Sequence, residues 1–233
     1  MMNTWIILPT YNEVGNIEGL LASLFGLVDG HILVVDDASP DGTGKLVEQL
    51  RSRWPGLDIL HRPAKAGLGS AYRDGFRYAL DHGADRVVQM DADGSHDPQL
   101  VPVLLVELDQ ADLVLGSRYI AGGSFPIAWH RRWISLLGNV YIRSLIGWRI
   151  KDWSTGFKAW RGPMLRRVIE QPNAAVGYAW LMETTWLAKT LGARIVEVPL
   201  VFKERGSGVS KFTWRIALED LQLAWRLRFR RLA

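Results

Sequence analysis

The chain has 233 residues, of which 48% are hydrophobic and 22% charged, so its composition is that of a globular protein and excludes a disordered chain. It contains no cysteine, which excludes disulfides and thiolate metal sites. No basic region precedes the short apolar run at the N-terminus, so we expect no signal peptide. No apolar run approaches the roughly 18 residues that a membrane-spanning helix needs.

Positive charge is unevenly distributed, although the formal net charge is only +4. Six Lys or Arg and no acidic residue occur from residue 117 to residue 151, and six more follow residue 210 against Glu219 and Asp220. The chain also has 11 tryptophans. This combination indicates contact with an anionic membrane surface or with nucleic acid, or else a solvated basic face around a tryptophan-containing core.

In the first half of the chain, short apolar segments alternate with amphipathic ones. The predicted strands cover residues 4–9, 31–37, 57–61, 86–91 and 112–117. The predicted helices cover residues 16–28, 43–54, 69–83 and 98–110. Continuous apolar strands between helices are typical of a parallel sheet covered on both faces, so we expect an α/β fold.

The alternation ends after residue 119. We predict helices over residues 131–148, 162–169 and 178–191, a strand over 194–202 and a C-terminal helix from residue 213. Because Pro199 cannot donate to a strand ladder, the late strand is expected to be antiparallel or at a sheet edge. The first and last of these helices are two-sided, which favours either a membrane surface or packing on the sheet.

Polar clusters follow four of the predicted strands, namely PTYNE, DDASPDG, DADGSHD and GSRY. Ligands of open parallel sheets bind beyond the carboxyl ends of the strands, so these clusters predict one site. Asp91 and Asp93 are suited to a divalent cation with open positions for phosphate, and a solvated Asp-rich turn is the alternative. We expect His96 to be a hydrogen-bond partner and not a metal ligand.

The motifs IILPTYNE, VVDDASPDGT, KAGLGSAYRDG, MDADGSHDP, GSRY, DWSTGFKAW and FKERGSGVSKF occur in the order of family 2 glycosyltransferases. Over roughly residues 4–212 the chain most closely resembles the polyprenol-phosphate (dolichol-phosphate) mannosyltransferases. The resemblance implies a GT-A (Rossmann-like) fold with C-terminal interfacial amphipathic helices, a GDP-mannose donor, Mg²⁺ or Mn²⁺, and a polyprenyl monophosphate acceptor. It also implies one domain, residues 1–233, with a nucleotide-sugar half (1–119), an acceptor half (120–212) and a terminal helix (213–233).

The resemblance assigns roles to individual residues. For the donor nucleotide these are Pro9, Tyr11, Glu13, Val35, Asp37, Asp91, Ala92, Asp93, Arg205 and Lys211. For the acceptor phosphate they are Arg118, Arg131 and Ser135. The implied catalytic residues are Asp91, Asp93, Arg118 and Arg205. The metal ligands are Asp91 and Asp93 with Ser95, which stands where some relatives carry Gln.

The implied reaction transfers mannose to an oxygen that is already anionic, so it needs no strong general base. Positioning two phosphates and neutralising their charge are the main requirements, and arginine forks suit both. Inversion at the sugar carbon is implied by the family. Asp152 either orients an acceptor-binding arginine or caps a turn, and the role of Glu183 is similarly ambiguous. Residues 206–210 are either a hinge or an exposed turn.

We expect a peripheral protein on the cytoplasmic face of a membrane, with a membrane-anchoring protein as a possible partner. Nucleic acid is disfavoured because the acidic edge would repel its backbone. Two other functions remain open: transfer from UDP-glucose or another nucleotide sugar to undecaprenyl phosphate, and a noncatalytic module that binds a nucleotide sugar or a membrane.

Overall fold

The computed structural model describes residues 2–124, 129–172, 175, 177–201 and 214–230. The side chains of residues 129–132, 134 and 214–217 are outside this description. Within it, seven strands form one sheet: β1 (Thr4–Thr10), β2 (His31–Asp36), β3 (Leu57–His61), β4 (Arg86–Gln89), β5 (Leu113–Ser117), β6 (Lys158–Arg161) and β7 (Ile195–Pro199).

The strand order is β3-β2-β1-β4-β6-β5-β7. All neighbouring strands are parallel except β6, which is antiparallel to both β4 and β5. The helices are α1 (Ile17–Phe25), α2 (Thr43–Leu50), α3 (Leu68–Asp81), α4 (Val101–Glu107), α5 (Trp129–Ile146), α6 (Gly162–Ile169), α7 (Ala179–Thr190) and α8 (Trp214–Phe229). The predicted mostly parallel α/β sheet is confirmed.

Two apolar clusters cover the two faces of the sheet. One contains side chains of α1, α2 and α4, and the other contains side chains of α3, α5, α6, α7 and α8. This explains why Trp5 to Leu8 of β1 are buried without interruption, since alternate residues enter opposite clusters. The chain is therefore a three-layer α/β/α structure in the residues described.

Helix α3 packs closely against its neighbours because it carries glycine at two contacts. A Cβ on Gly75 would lie 2.5 Å from Cγ2 of Ile7, and one on Gly69 would lie 2.5 Å from Cγ of Trp180. Alanine at either position would force α3 away from β1 or α7. This close approach fixes the position of Tyr72, on the intervening turn of the helix.

Two expectations for the second half were incomplete or wrong. Strand β6 was not predicted, because its sequence Lys-Ala-Trp-Arg has neither an apolar run nor a regular alternation. The late strand lies at the sheet edge as expected, but the antiparallel alternative is wrong because β7 is parallel to β5. Pro199 is the last residue of that strand, where its missing N–H is tolerated.

Candidate active site

The carboxyl ends of β1, β2, β4 and β5 bring the four polar clusters to one edge of the sheet, as predicted. Two residues of this edge hold a left-handed backbone without being glycine, Asn12 at φ 62° and Ala38 at φ 53°. Such conformations cost free energy and are enriched at functional sites. The strained loops thus lie where the sequence predicts the ligand.

The two aspartates that follow one another at the end of β2 have different partners. Asp36 accepts hydrogen bonds from the hydroxyls of Thr10 (2.8 Å) and Ser39 (2.6 Å), so it ties two loops together. Asp37 instead forms an ion pair with Arg62 through Oδ1. Within the described part of the chain, Oδ2 of Asp37 accepts no hydrogen bond. This oxygen is suited to accept a hydrogen bond from a base.

Arg62 is a residue of this site that the sequence analysis missed. Its side chain is only 8% exposed, and its Nε lies 3.0 Å from Oδ2 of Asp74. It directly follows β3, so the same rule that places ligands beyond the carboxyl ends of strands applies to it. The position of Arg62 directly after a predicted strand could have identified it from the sequence.

The other residues assigned to the nucleotide lie along the same edge. The ring of Tyr11 lies under the ammonium of Lys65, 3.8 Å from the ring centroid, and the buried Glu13 accepts from the amide of Asn16. Pro9 is half-buried. The side chain of Val35 is wholly buried in the core, so its assigned contact concerns main-chain atoms only.

The acidic pair follows β4. Oδ1 of Asp91 accepts a hydrogen bond of 2.7 Å from the Tyr72 hydroxyl, and its main-chain N–H donates to Nδ1 of His96 at 3.1 Å. Oδ1 of Asp93 accepts from the main-chain N–H of Ser95 at 3.0 Å and from its hydroxyl at 2.6 Å. The expected hydrogen-bonding role of His96 is confirmed. Ser95 is a donor here, and its role as a metal ligand stays a prediction.

The acidic pair fits a metal that binds together with phosphate. Among the described residues no group of three or more His, Asp or Glu could hold a metal ion. Magnesium and manganese, however, are commonly held by one or two carboxylates with phosphate oxygens and water. In the residues described, Oδ2 of Asp91 accepts no hydrogen bond, and Ala92, between the two acids, is buried.

Arg118, directly after β5, is held by a fully buried carboxylate. Its Nε and Nη2 donate to the two oxygens of Asp152 at 2.7 and 2.8 Å, and its main-chain N–H donates at 3.1 Å. Burial alone would lower the pKa of Arg118, but Asp152 outweighs it and raises that pKa. Glu197 accepts from the main-chain N–H of Asp152 at 2.9 Å. Of the two roles considered for Asp152, the structure shows both: it orients an arginine, Arg118, and Oδ1 caps a turn by accepting from the main-chain N–H of Ser154 at 3.3 Å.

The hydroxyl of Ser135 on α5 lies 2.6 Å from that of Tyr119, the residue that follows Arg118. Helix α5 also carries Arg131, whose side chain is outside the described residues. Arg205, Lys211 and the glycine-rich segment 206–210 are outside them as well. Of the residues that the resemblance assigns to the acceptor phosphate, the structure therefore describes the side chains of Arg118 and Ser135.

Two buried charged residues lie behind the site. The ammonium of Lys158 on β6 donates to the carbonyl of Leu181 at 2.5 Å and to the hydroxyl of Thr185 at 2.9 Å. Burial lowers its pKa to about 7, opposed by Asp152 and Asp91. Glu183 of α7, left open by its sequence, is fully buried and pairs with Arg230 at 2.5 Å, which fixes the end of α8.

A mostly parallel sheet with an acidic pair and a clamped arginine at its carboxyl edge is the arrangement expected of a GT-A glycosyltransferase. The chain belongs to glycosyl transferase family 2, whose model matches residues 5–171. It is 42% identical to the undecaprenyl-phosphate mannosyltransferase of Micrococcus luteus, over 94% of this chain and 90% of that protein. It is also 42% identical to the polyprenol monophosphomannose synthase of Mycolicibacterium smegmatis, over 90% and 81% of the two chains. The protein is thus an enzyme.

Solved structures share the fold at lower identity. Mannosyltransferase PcManGT from Pyrobaculum calidifontis, in complex with GDP-Man and Mn²⁺, has a TM-score of 0.62 and 21% identity, over 93% of this chain and 60% of that one. TarS 1–349 of S. aureus, in complex with UDP-GlcNAc, has a TM-score of 0.63 and 19% identity, over 96% and 65% of the two chains. Both likenesses support the GT-A architecture.

Proposed function

We propose that the enzyme transfers mannose from GDP-mannose to a polyprenyl monophosphate, with inversion at the sugar carbon. The relatives at 42% identity are named as mannosyltransferases of such lipids, which supports the substrate pair. The observation that carries the proposal is the placement of the acidic pair Asp91 and Asp93 at the same sheet edge as the Arg118–Asp152 clamp. One group suits the donor diphosphate and the other an acceptor phosphate.

On the donor side, Asp91 and Asp93 would hold Mg²⁺ or Mn²⁺. The ion would neutralise the diphosphate and stabilise the charge that develops on the leaving nucleotide. Asp37 would accept from the base, with Arg62 holding its carboxylate in place. Tyr11 and Glu13 border the same nucleotide region, while Arg205 and Lys211 are proposed to contact the donor from the late segment.

On the acceptor side, an oxygen of the lipid phosphate forms a bond to the anomeric carbon while the bond from that carbon to the GDP oxygen breaks. The attacking oxygen carries negative charge, so no side chain has to remove a proton. Arg118 neutralises and orients the phosphate, with Arg131 and Ser135 proposed beside it. Because Asp152 binds Nε and Nη2, the guanidinium is fixed before the acceptor arrives. A single displacement inverts the configuration at the anomeric carbon.

A lipid acceptor requires contact with a membrane surface. Leu137 of α5 is 66% exposed and Phe229 of α8 is 66% exposed, whereas Asn139 of the polar side of α5 is buried. The side of α5 that carries Leu137 is thus exposed, while Ile142 and Ile146 of the same helix are buried in the core. Other exposed apolar side chains of the two helices are Trp133, Val140, Tyr141, Trp148, Leu218 and Trp225.

A groove of about 500 Å³ lies at these helices, lined by Tyr141, Leu218, Leu221, Gln222, Trp225 and Arg226. In the residues described, no helix is long and apolar enough to cross a membrane. Exposed tryptophans with nearby arginines are typical of a headgroup-level contact, so we propose peripheral attachment at the cytoplasmic face. An anchoring protein partner belongs to the same proposal.

One observation favours a second donor. Arg62 occupies Oδ1 of Asp37, which leaves one carboxylate oxygen for the base. Uracil presents a single ring N–H, which one carboxylate oxygen satisfies with a lone pair to spare, whereas the ring and amine N–H groups of guanine would need both lone pairs of that oxygen or a share of Oδ1. A UDP-sugar is therefore the second candidate, with the same lipid acceptor.

The test is transfer of radiolabelled sugar to polyprenyl phosphate from GDP-mannose and from UDP-glucose, with and without Mn²⁺. We expect GDP-mannose turnover that depends on the metal and is lost in Asp93→Asn. Asp97→Asn is the matched control, because Asp97 caps the turn at Pro98–Leu100 by accepting from Gln99, and asparagine also caps. Turnover with UDP-glucose and none with GDP-mannose would support the second donor. Nucleotide binding without any turnover points to a noncatalytic module, and a fully active Asp93→Asn contradicts the metal role.

A further inference from the structure

Asp91 is held by a partner from a distant segment of the chain. The Tyr72 hydroxyl donates to Oδ1 of Asp91 at 2.7 Å, across 19 residues of sequence. A carboxylate can only accept, so the phenol hydroxyl is the donor of this hydrogen bond.

The ring that carries this hydroxyl cannot move away. Tyr72 is fully buried, with its ring parallel to that of Trp180 at a centroid distance of 6.0 Å and tilted against Phe76 at 5.8 Å. Trp180 in turn fits against Gly69, where no Cβ could be added without a clash. The donor position is thus determined by the packing of α3 on α7.

The other oxygen of Asp91 is differently placed. An ideal Cβ on Gly156 would lie 3.2 Å from Oδ2, so the main chain of residue 156 approaches this oxygen closely. Its hydrogen-bonding capacity is unused by the described residues. With Oδ1 bound by Tyr72 and the main-chain N–H of Asp91 bound by His96, the carboxylate has one orientation.

We propose that Tyr72 is a positioning residue, which fixes the Asp91 carboxylate so that Oδ2 is presented to the divalent ion. The proposal rests on the function proposed above, in which Asp91 is a metal ligand. Hydrogen bonds to ligating carboxylates typically contribute 10- to 100-fold to metal affinity, because they remove the freedom of the ligand to rotate. The sequence motif GLGSAY thus contributes to the metal site through its tyrosine.

The test is Tyr72→Phe, which keeps the ring and removes the hydroxyl. Mn²⁺ binding to the protein saturated with GDP, and in parallel with UDP, is measured by water proton relaxation and corrected for Mn²⁺ bound to nucleotide alone. We expect the Mn²⁺ dissociation constant to rise by about 10- to 100-fold. Tyr78→Phe is the control on the same helix, because its hydroxyl has no hydrogen-bond partner in the described chain and its ring packs on His82 and Trp5.

The outcomes separate this inference from the proposed function. If the wild-type protein binds Mn²⁺ and Tyr72→Phe binds it within twofold, the positioning role is wrong and the metal assignment stands. If the wild-type protein binds no Mn²⁺ with either nucleotide, the metal assignment fails and the inference fails with it. Urea unfolding of both variants shows whether stability changes, and a purely structural role would lower stability without changing the affinity of the folded protein.

Discussion

Replacing Asp152 by asparagine should damage both the fold and the acceptor site, because this side chain is the buried partner of Arg118. Asp152 has no exposed side-chain surface, and it accepts three bonds from Arg118 and one from the main-chain N–H of Ser154 at 3.3 Å. Asparagine has the same shape but carries no charge. It also turns an NH₂ group toward donors of the guanidinium.

The magnitude follows from what remains after the substitution. The Arg118 side chain is 19% exposed, so it would keep its charge with little access to water. Removing one partner of a buried ion pair typically costs about 3–5 kcal/mol. Since domains of this kind have a total stability of roughly 5–15 kcal/mol, Asp152→Asn should retain its fold with a much lower urea midpoint. We also expect the KM for polyprenyl phosphate to rise more than the KM for the donor.

Asp112→Asn is a matched control. Asp112 also accepts from the main-chain N–H and the guanidinium of an arginine, Arg194, but that arginine side chain is 64% exposed. Exposed pairs contribute about 0–1 kcal/mol, so urea unfolding should separate the two variants by at least 2 kcal/mol. Equal losses in Asp152→Asn and Asp112→Asn would refute the buried clamp. An unchanged acceptor KM in Asp152→Asn would refute its role in orienting Arg118.

Two further predictions concern the buried charges behind the site. In the folded wild-type protein the pKa of Lys158 is lowered to about 7, so between pH 7 and pH 10 the unfolded chain binds one more proton than the folded one. The free energy of unfolding of the wild-type protein should therefore rise with pH over this range. In Lys158→Met this dependence on pH should be lost. The slope is at most about 1.4 kcal/mol per pH unit, and an unchanged slope in the variant would contradict the assignment. Glu183→Gln should weaken the bond to Arg230 and lower the free energy of unfolding by roughly 2 kcal/mol. Proteolysis within α8 should become faster. Unchanged proteolysis would show that this ion pair does not hold the helix.

The positions of the functional loops were predictable because a single rule sufficed. Apolar strands separated by helices indicate a parallel sheet, and in such a sheet the carboxyl ends of the strands lie together. The rule does not give the direction of a strand whose apolar pattern is weak. Strand β6 is short and contains the buried Lys158, and its antiparallel position between β4 and β5 depends on contacts that are distant in sequence.

The residue pattern alone gives no physical reason to separate residues of one type in one motif, although the family resemblance assigned Asp37, and not Asp36, to the nucleotide. Asp36 and Asp37 are identical side chains at successive positions, and their roles differ only because Thr10 and Ser39 reach the first while Arg62 reaches the second. In a strand, successive side chains point to opposite faces, so neighbouring residues have unrelated partners. Explaining why the two aspartates differ required the positions of residues in other segments.

The same principle explains why the sequence identified the functional charges more readily than the residues that hold them. A charged group at the rim of a sheet is useful only if its direction is fixed, and a partner buried beneath it fixes that direction at the cost of desolvation. Each such partner lies in another segment, 19 to 34 residues away along the chain, so the sequence around the rim residue does not show which residue it is. Tyr72 and Asp152 stand in recognisable motifs, and Asp152 was a candidate for orienting an arginine, but the structure was needed to pair each partner with its rim residue. The three pairs are Asp37 with Arg62, Asp91 with Tyr72, and Arg118 with Asp152.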